Sequence, residues 1–135
     1  MDLDVARRFV RDHHRAVLVT FRKDGRPQTS LVLVGVDDAG RLMVSSRERA
    51  YKVRNLRRDP RVSLCVLTDD FGNWIQVDGR ATVLSLPEAM EPLVDYYRRT
   101  AGEHPDWDDY RRAMADQQRV LVHVDIERAG PDHSA

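Results

Sequence analysis

Residues 16–46 read AVLVTFRKDGRPQTSLVLVGVDDAGRLMVSS, and the way this stretch turns decides the fold. Ala16 to Phe21 is rich in β-branched and aromatic residues and runs into Lys23-Asp24-Gly25-Arg26-Pro27, where Asp24-Gly25 is a strong hairpin signal. A second strand is expected from about Gln28 to Val36, with Pro27 tolerable only near its start. Leu31, Val32, Leu33 and Val34 are apolar without a gap, which predicts burial on both faces. Asp37-Asp38-Ala39-Gly40 supplies the next turn, and a third strand over Arg41 to Ser46 is expected to close a three-stranded meander. Such tight turns cannot join parallel strands, so a βαβ sheet is the poorer fit.

Outward from this core the same signals recur. Val62 to Leu67 reads as a largely buried fourth strand, Thr68 to Asn73 as a loop, and the stretch from Trp74 through Leu84 as a long fifth strand. Gly79 marks a bulge or bend within it. Val120 to Ile126 alternates well enough to be a sixth strand, and the polar tail Ala129 to Ala135 is expected to be loose. Helical spacing appears in residues 2–14, with Leu3, Ala6, Phe9, Val10 and His13 on one side and Asp2 or Asp4 as the cap. It appears again from Pro87, at a first helical position after Ser85, through Tyr97. Gly102 to Pro105 breaks that helix, and a last one is capped by Asp106 and reaches about Asp116. Six strands with peripheral helices predict a mainly β fold, a closed or nearly closed antiparallel barrel, in one domain spanning residues 1–135.

Lys plus Arg and Asp plus Glu each number 22, so whole-molecule attraction to nucleic acid or an anionic membrane is not expected. No apolar run approaches the ~20 residues of a membrane span, and the N-terminus lacks a signal-peptide pattern. A soluble cytoplasmic protein is the expectation. Abundant arginine beside only two lysines, Lys23 and Lys52, hints at a GC-rich genome. Cys65, the single cysteine, reads as a small buried hydrophobe.

Against this neutral background, residues 47–60 read RERAYKVRNLRRDP and carry six cations against Glu48 and Asp59. The period changes from two to helical, with Ala50, Val53 and Leu56 on one side and Pro60 as the stop. Ser45 or Ser46 is expected to cap this helix, and those two hydroxyls with Arg49 and Lys52 outline a phosphate site. Arginines solvating the exposed side of a short helix would give the same pattern. No nucleophile-and-base pattern, P-loop or metal-ligand spacing accompanies it. His13 and His14 read as solvated helix-end residues, and Asp37-Asp38, Asp69-Asp70 and Asp108-Asp109 as solvated or capping pairs.

The string from Lys52 to Leu64, KVRNLRRDPRVSL, resembles the helix and strand of the pyridoxamine-phosphate-oxidase-like split-barrel flavoproteins, in particular their actinobacterial deazaflavin (coenzyme F420) dependent branch. DGRPQ at residues 24–28 and GEHPDWDDYR at residues 102–111 match in the same order. The resemblance implies a six-stranded split β-barrel of the FMN-binding type, paired as a homodimer with cofactor sites at the interface. It also implies hydride transfer between reduced F420 and an unsaturated or quinone-like organic acceptor. FMN in the same barrel, or cofactor storage without turnover, are the alternatives. Carried over by position, Lys52 binds the cofactor phosphate, with Ser45 and Ser46 at the strand end beside it and Arg49 close by. Asn55 supports them, Gln28 and Ser30 line the deazaflavin, and Trp74 comes from the facing strand. No catalytic side chain is assigned. Relatives usually keep an arginine two residues before this lysine, where this chain has Ala50, and a small residue where it has Tyr51.

Overall fold

The computed structural model describes residues 1–134. Seven strands form one antiparallel sheet in the order β2-β1-β5-β6-β7-β4-β3. They are β1 (Arg15–Phe21), β2 (Pro27–Leu33), β3 (Gly35–Val36), β4 (Leu42–Arg47), β5 (Arg61–Leu67), β6 (Asn73–Leu84) and β7 (Arg119–Ser134). Helices α1 (Leu3–Asp12), α2 (Tyr51–Arg58), α3 (Met90–Ala101) and α4 (Trp107–Asp116) flank it. The Asp24-Gly25 turn joins β1 to β2 as expected, with Gly25 at φ +88°.

The expected meander does not form. β2 pairs only with β1, while β3 pairs with β4 at the far end of the sheet. The corner is Val34, whose N–H donates to the His14 carbonyl at 2.7 Å, whereas Gly35 and Val36 already oppose Met43 and Leu42. One continuous run of chain therefore ties the two ends of the sheet together and curls it into a barrel that hydrogen bonds leave open. The expected second strand is split by this corner, which accounts for seven strands rather than six.

Inside the curl, Leu18, Leu64, Val66, Val77, Leu42, Val44 and Val124 pack together, closed by Ala6 and Val10 of α1 and Leu56 of α2. Asp2 caps α1 by accepting from the Asp4 N–H, and Asp106 caps α4 by accepting from Asp109. A second cluster sits on the outer face of β4 and β7, where Met43 and Leu121 meet Leu93, Val94, Tyr110 and Met114 of α3 and α4. These strands are covered on both sides, which is why Val120 to Val124 are buried without a gap.

The outer face of β2, β1 and β5 has no such cover. Leu31 is 84% exposed and Leu33 46%, so the uninterrupted apolar run 31–34 is not buried on both faces within one chain. Cys65 faces the same way, opposite the core residues Leu64 and Val66, and is only partly covered. Three local expectations also change. Pro87 lies in a turn before α3, which starts at Met90, and Pro92 occupies the first turn, where its missing N–H costs nothing. Neither Ser45 nor Ser46 caps α2; both lie in β4 and the N-cap is Ala50. The tail is no loose end, since Ala129 to Ser134 continue β7 against Val77 back to Asn73.

Asp37, expected as a solvated turn residue, is buried and accepts from the Arg41 backbone N–H and Nε, both at 2.9 Å. His123 of β7, 6% exposed, has its Nε2 3.6 Å from the same carboxylate. Burial, aided by Arg41, outweighs the attraction of Asp37, Asp125 and Asp95 and holds His123 below its ordinary pKa of 6.5. The fold thus keeps this ring neutral, while the unfolded chain takes up a proton as pH falls through about 6.5. Stability is expected to be full above that point and to decline as pH drops from about 7 towards 5.5. Urea midpoints at those two pH values check it; a decline that persists unchanged in His123→Asn would assign the effect to other groups.

Candidate functional site

The basic helix and the strand end before it form one wall of a cleft of about 540 Å³. Ser45, Ser46, Arg47, Arg49, Ala50 and Lys52 line it from β4 and α2, Arg119 from the start of β7, and Leu31 to Leu33 from β2. Four cations face this space and no carboxylate does. Glu48, the nearest acid in sequence, is engaged with Arg57 at 2.6 Å and Ser85 at 3.0 Å. Lys52 forms no ion pair among the described residues. Burial first, and Arg119 second, pull its pKa below the usual lysine range. Arg119 is pulled down likewise, by burial and by Arg47, and its Nε donates to Gln117 at 2.9 Å. Cations crowded together and desolvated without a counter-charge are unfavourable unless an anion joins them.

Two further observations point the same way. Ser46, a residue only 4% exposed, lines the cleft, and its hydroxyl makes no hydrogen bond among the described residues; no buried side-chain polar atom there is left without a partner, so this oxygen stays open to solvent. The first turn of α2 has no side-chain cap and no acidic residue. A helix start carries free N–H groups and partial positive charge, so Lys52 there adds to the demand for an anion.

β2 forms the opposite wall, and one of its edges is free. The bonds Val34 N–H to His14 O and Arg22 N–H to Arg26 O fix the even-numbered residues of β2 as the pairs bonded to β1. The backbone groups of Thr29 and Leu31 therefore point away from the sheet. The Leu33 carbonyl points the same way and accepts from Tyr96 Oη of α3 at 2.9 Å, bracing the gap between β2 and β4.

Further along β2 lies a second cleft, of about 620 Å³, lined by Gln28 and Thr29, by Tyr51, Arg54, Asn55 and Arg58 of α2, and by Arg22 and Lys23 of the hairpin. Asn55 is buried at 6% exposure. Its Nδ2 donates to Thr20 Oγ1 at 3.1 Å and Gln28 Oε1 at 2.8 Å, and its Oδ1 accepts from Arg58 at 3.0 Å. With Gln28 Oε1 occupied, the amide is oriented so that its Nε2 donor is free for a ligand.

A family model described as pyridoxamine 5'-phosphate oxidase matches residues 3–131. The chain belongs to this family. Solved structures of similar shape include a conserved hypothetical protein from Mycobacterium tuberculosis, at 25% identity and TM-score 0.79 over 99% of this chain and 85% of that one. A protein titled F420 reductase matches at 21% identity and TM-score 0.67, covering 87% and 89%. A heme storage protein from Vibrio cholerae matches at 17% identity and TM-score 0.70, covering 99% and 98%. The latter two are likenesses of fold alone, and they make the curled sheet a split β-barrel.

Of the residues named from the resemblance, the structure places Ser45, Ser46, Arg49 and Lys52 on one cleft and Gln28 and Asn55 on the second. Ser30 lies on the face of β2 shared by Gln28 and Val32, between the two clefts. Trp74 does not join them within one chain. It stands on the outer face of β6, opposite Leu67 and stacked 6.4 Å from His133, three strands from β2. Ala50 and Arg49 both line the first cleft. Arg119 was not legible in advance, because only the pairing of Arg47 with Arg119 across β4 and β7 carries it there. Among the described residues no helix is long and apolar enough to cross a membrane, and no three His, Cys, Asp or Glu side chains are grouped to hold a metal ion.

Proposed function

We propose that the chain is an F420-dependent oxidoreductase that reduces an unsaturated or quinone-like organic acceptor. The observation that carries this reading is the unpaired, desolvated couple of Lys52 and Arg119 beside the partnerless Ser46 hydroxyl, a donor set suited to a phosphate. A bound reduced deazaflavin would supply the hydride; the acceptor takes those two electrons and a further proton. The chain's own part is positional. Lys52, Arg119, Ser45 and Ser46 hold the phosphate, Arg49 adds charge at the rim, and Gln28 and Ser30 offer polar groups along β2 for the ring system, with Asn55 fixing the Gln28 amide.

A homodimer belongs to the same proposal. Leu31, Leu33 and Phe71, the last 79% exposed, surround an apolar cleft of about 450 Å³ with Val17 and Leu67 on the uncovered outer face. A contiguous apolar sheet face next to a free strand edge is suited to a second copy. Trp74 lies on that face, so pairing would offer it to the partner's site. Titration of the purified protein with F420 and with FMN side by side, with sedimentation in the same buffer, tests both parts. Micromolar F420 binding, no FMN binding and a dimer mass are expected; preference for FMN, or a stable monomer that still binds F420, would overturn the respective part.

Storage without turnover is the second reading. Its support is that the cleft holding Lys52 is lined by no histidine or carboxylate. Reduced F420 mixed with a panel of quinones separates the two, because only an oxidoreductase restores the absorbance of the oxidised cofactor.

A further inference from the structure

The cleft around Tyr51 has a chemistry of its own. Arg22, Lys23, Arg54 and Arg58 border it, no carboxylate does, and none of the four forms an ion pair among the described residues. Arg58 is tied to the Phe21 carbonyl and to Asn55, so its place is set by the fold. Arg54 is held only by the ring of Tyr51, with its guanidinium carbon 5.7 Å from the centroid. Tyr51, Arg54, Asn55 and Arg58 recur at the spacing of a single helix face, while Lys52 serves the other cleft. α2 thus divides its charge between two clefts that both border β2. Along β2, Thr29 and Leu33 are four residues apart, about 13 Å at strand rise.

Solvation alone explains exposed arginines, but not this arrangement. Gln28, whose Nε2 donor is left free by buried Asn55, lines the same cleft as exposed Tyr51 and four cations that no carboxylate pairs among the described residues. Donors and positive charge around a π-surface select a flat, anionic ligand with a carbonyl to accept from Gln28.

We propose that this second cleft receives the acceptor, and that the acceptor is a planar carbonyl compound bearing an acid group. Arg54, with Arg22 and Lys23, holds the acid group, and one of the two Gln28 Nε2 hydrogens donates to the acceptor's carbonyl while the other serves the cofactor ring. The inference rests on the oxidoreductase reading for the ligand's role, and on the cleft alone for its charge.

Calorimetric titration of the whole protein, with and without F420, using anthraquinone-2-carboxylate and its neutral carboxamide tests it. The carboxylate is expected to bind about tenfold more tightly at low ionic strength, with the advantage shrinking as salt is added. Arg22→Gln combined with Arg54→Gln should abolish that advantage while carboxamide binding persists, and Lys52→Ala should leave it intact. Equal binding of the two probes, a preference that survives the double variant, or one lost on Lys52→Ala would overturn the proposal. Cofactor affinity is read separately in the same preparation. Failure to bind F420 with the carboxylate preference intact sinks the oxidoreductase reading and leaves the acid-binding cleft; the reverse result sinks the cleft alone.

Discussion

Lys52→Ala is expected to weaken F420 binding by about 1.5 to 3 kcal/mol, roughly 10- to 150-fold, the range for losing one charge-assisted hydrogen bond to a phosphate. Arg119→Ala should fall in the same range, since the two cations share the cleft and Arg119 depresses the basicity of Lys52. Their double variant should lose less than the sum, because removing one relieves the repulsion felt by the other. Arg80→Ala is the control for bulk charge: Arg80 is exposed on β6, 3.6 Å from Glu127 and away from the cleft. Fluorescence titration of F420 reads all four proteins. An unchanged dissociation constant for Lys52→Ala removes it from the site, and an equal loss for Arg80→Ala would make the effect one of general electrostatics.

Gly79→Ala should cost the fold about 3 kcal/mol, a large share of the 5–15 kcal/mol that holds a typical domain together. β6 and β7 form the longest ladder in the sheet, and their register shifts between Asp78 and Gly79. A Cβ at Gly79 would overlap the Asp125 carbonyl oxygen and stand 2.9 Å from Val124 Cγ1. The first is backbone in a bonded strand and the second is a core side chain, so neither yields without moving β7. Urea denaturation gives the result directly. A loss under about 0.5 kcal/mol would mean that β7 gives way at this point, against the packing seen here.

Gly79 also shows how far the sequence can be read. A glycine inside a strand pattern signals a bulge, and a register shift does fall beside Gly79, although the extra residue, Glu127, belongs to β7. The β1–β2 hairpin, the caps Asp2 and Asp106, the stop at Pro60 and the helical period of the basic segment were legible for the same reason: each depends on dihedral preferences or hydrogen bonds within a few residues. The Ser45–Lys52 wall of the site is likewise local, being one strand end followed by one helix turn.

What failed was what depends on partners distant in the chain. Leu31 and Leu33 have the hydrophobicity of buried residues, yet the sheet order leaves them uncovered within a single chain. Cys65 lies in an apolar run but points away from the core, because strand alternation gives Leu64 and Val66 the inner face. The polar tail extends β7 because Asn73 to Val77 offer it an unpaired edge, which composition does not encode. Asn55 read as a minor helper; the structure gives it the amide of Gln28 to orient.

The sequence by itself determined an antiparallel barrel-like domain with a basic helix after its β4 strand, since hydrophobic period, turn chemistry and charge runs are properties of neighbouring residues. Only the tertiary structure decided that Val34 is the corner tying the two ends of the sheet together, and that Arg119 shares a cleft with Lys52. It also decided that α2 splits its cations between two clefts bordering β2. These outcomes depend on strand register and sheet curl, through which residues far apart along the chain come to share one small volume and one electrostatic field.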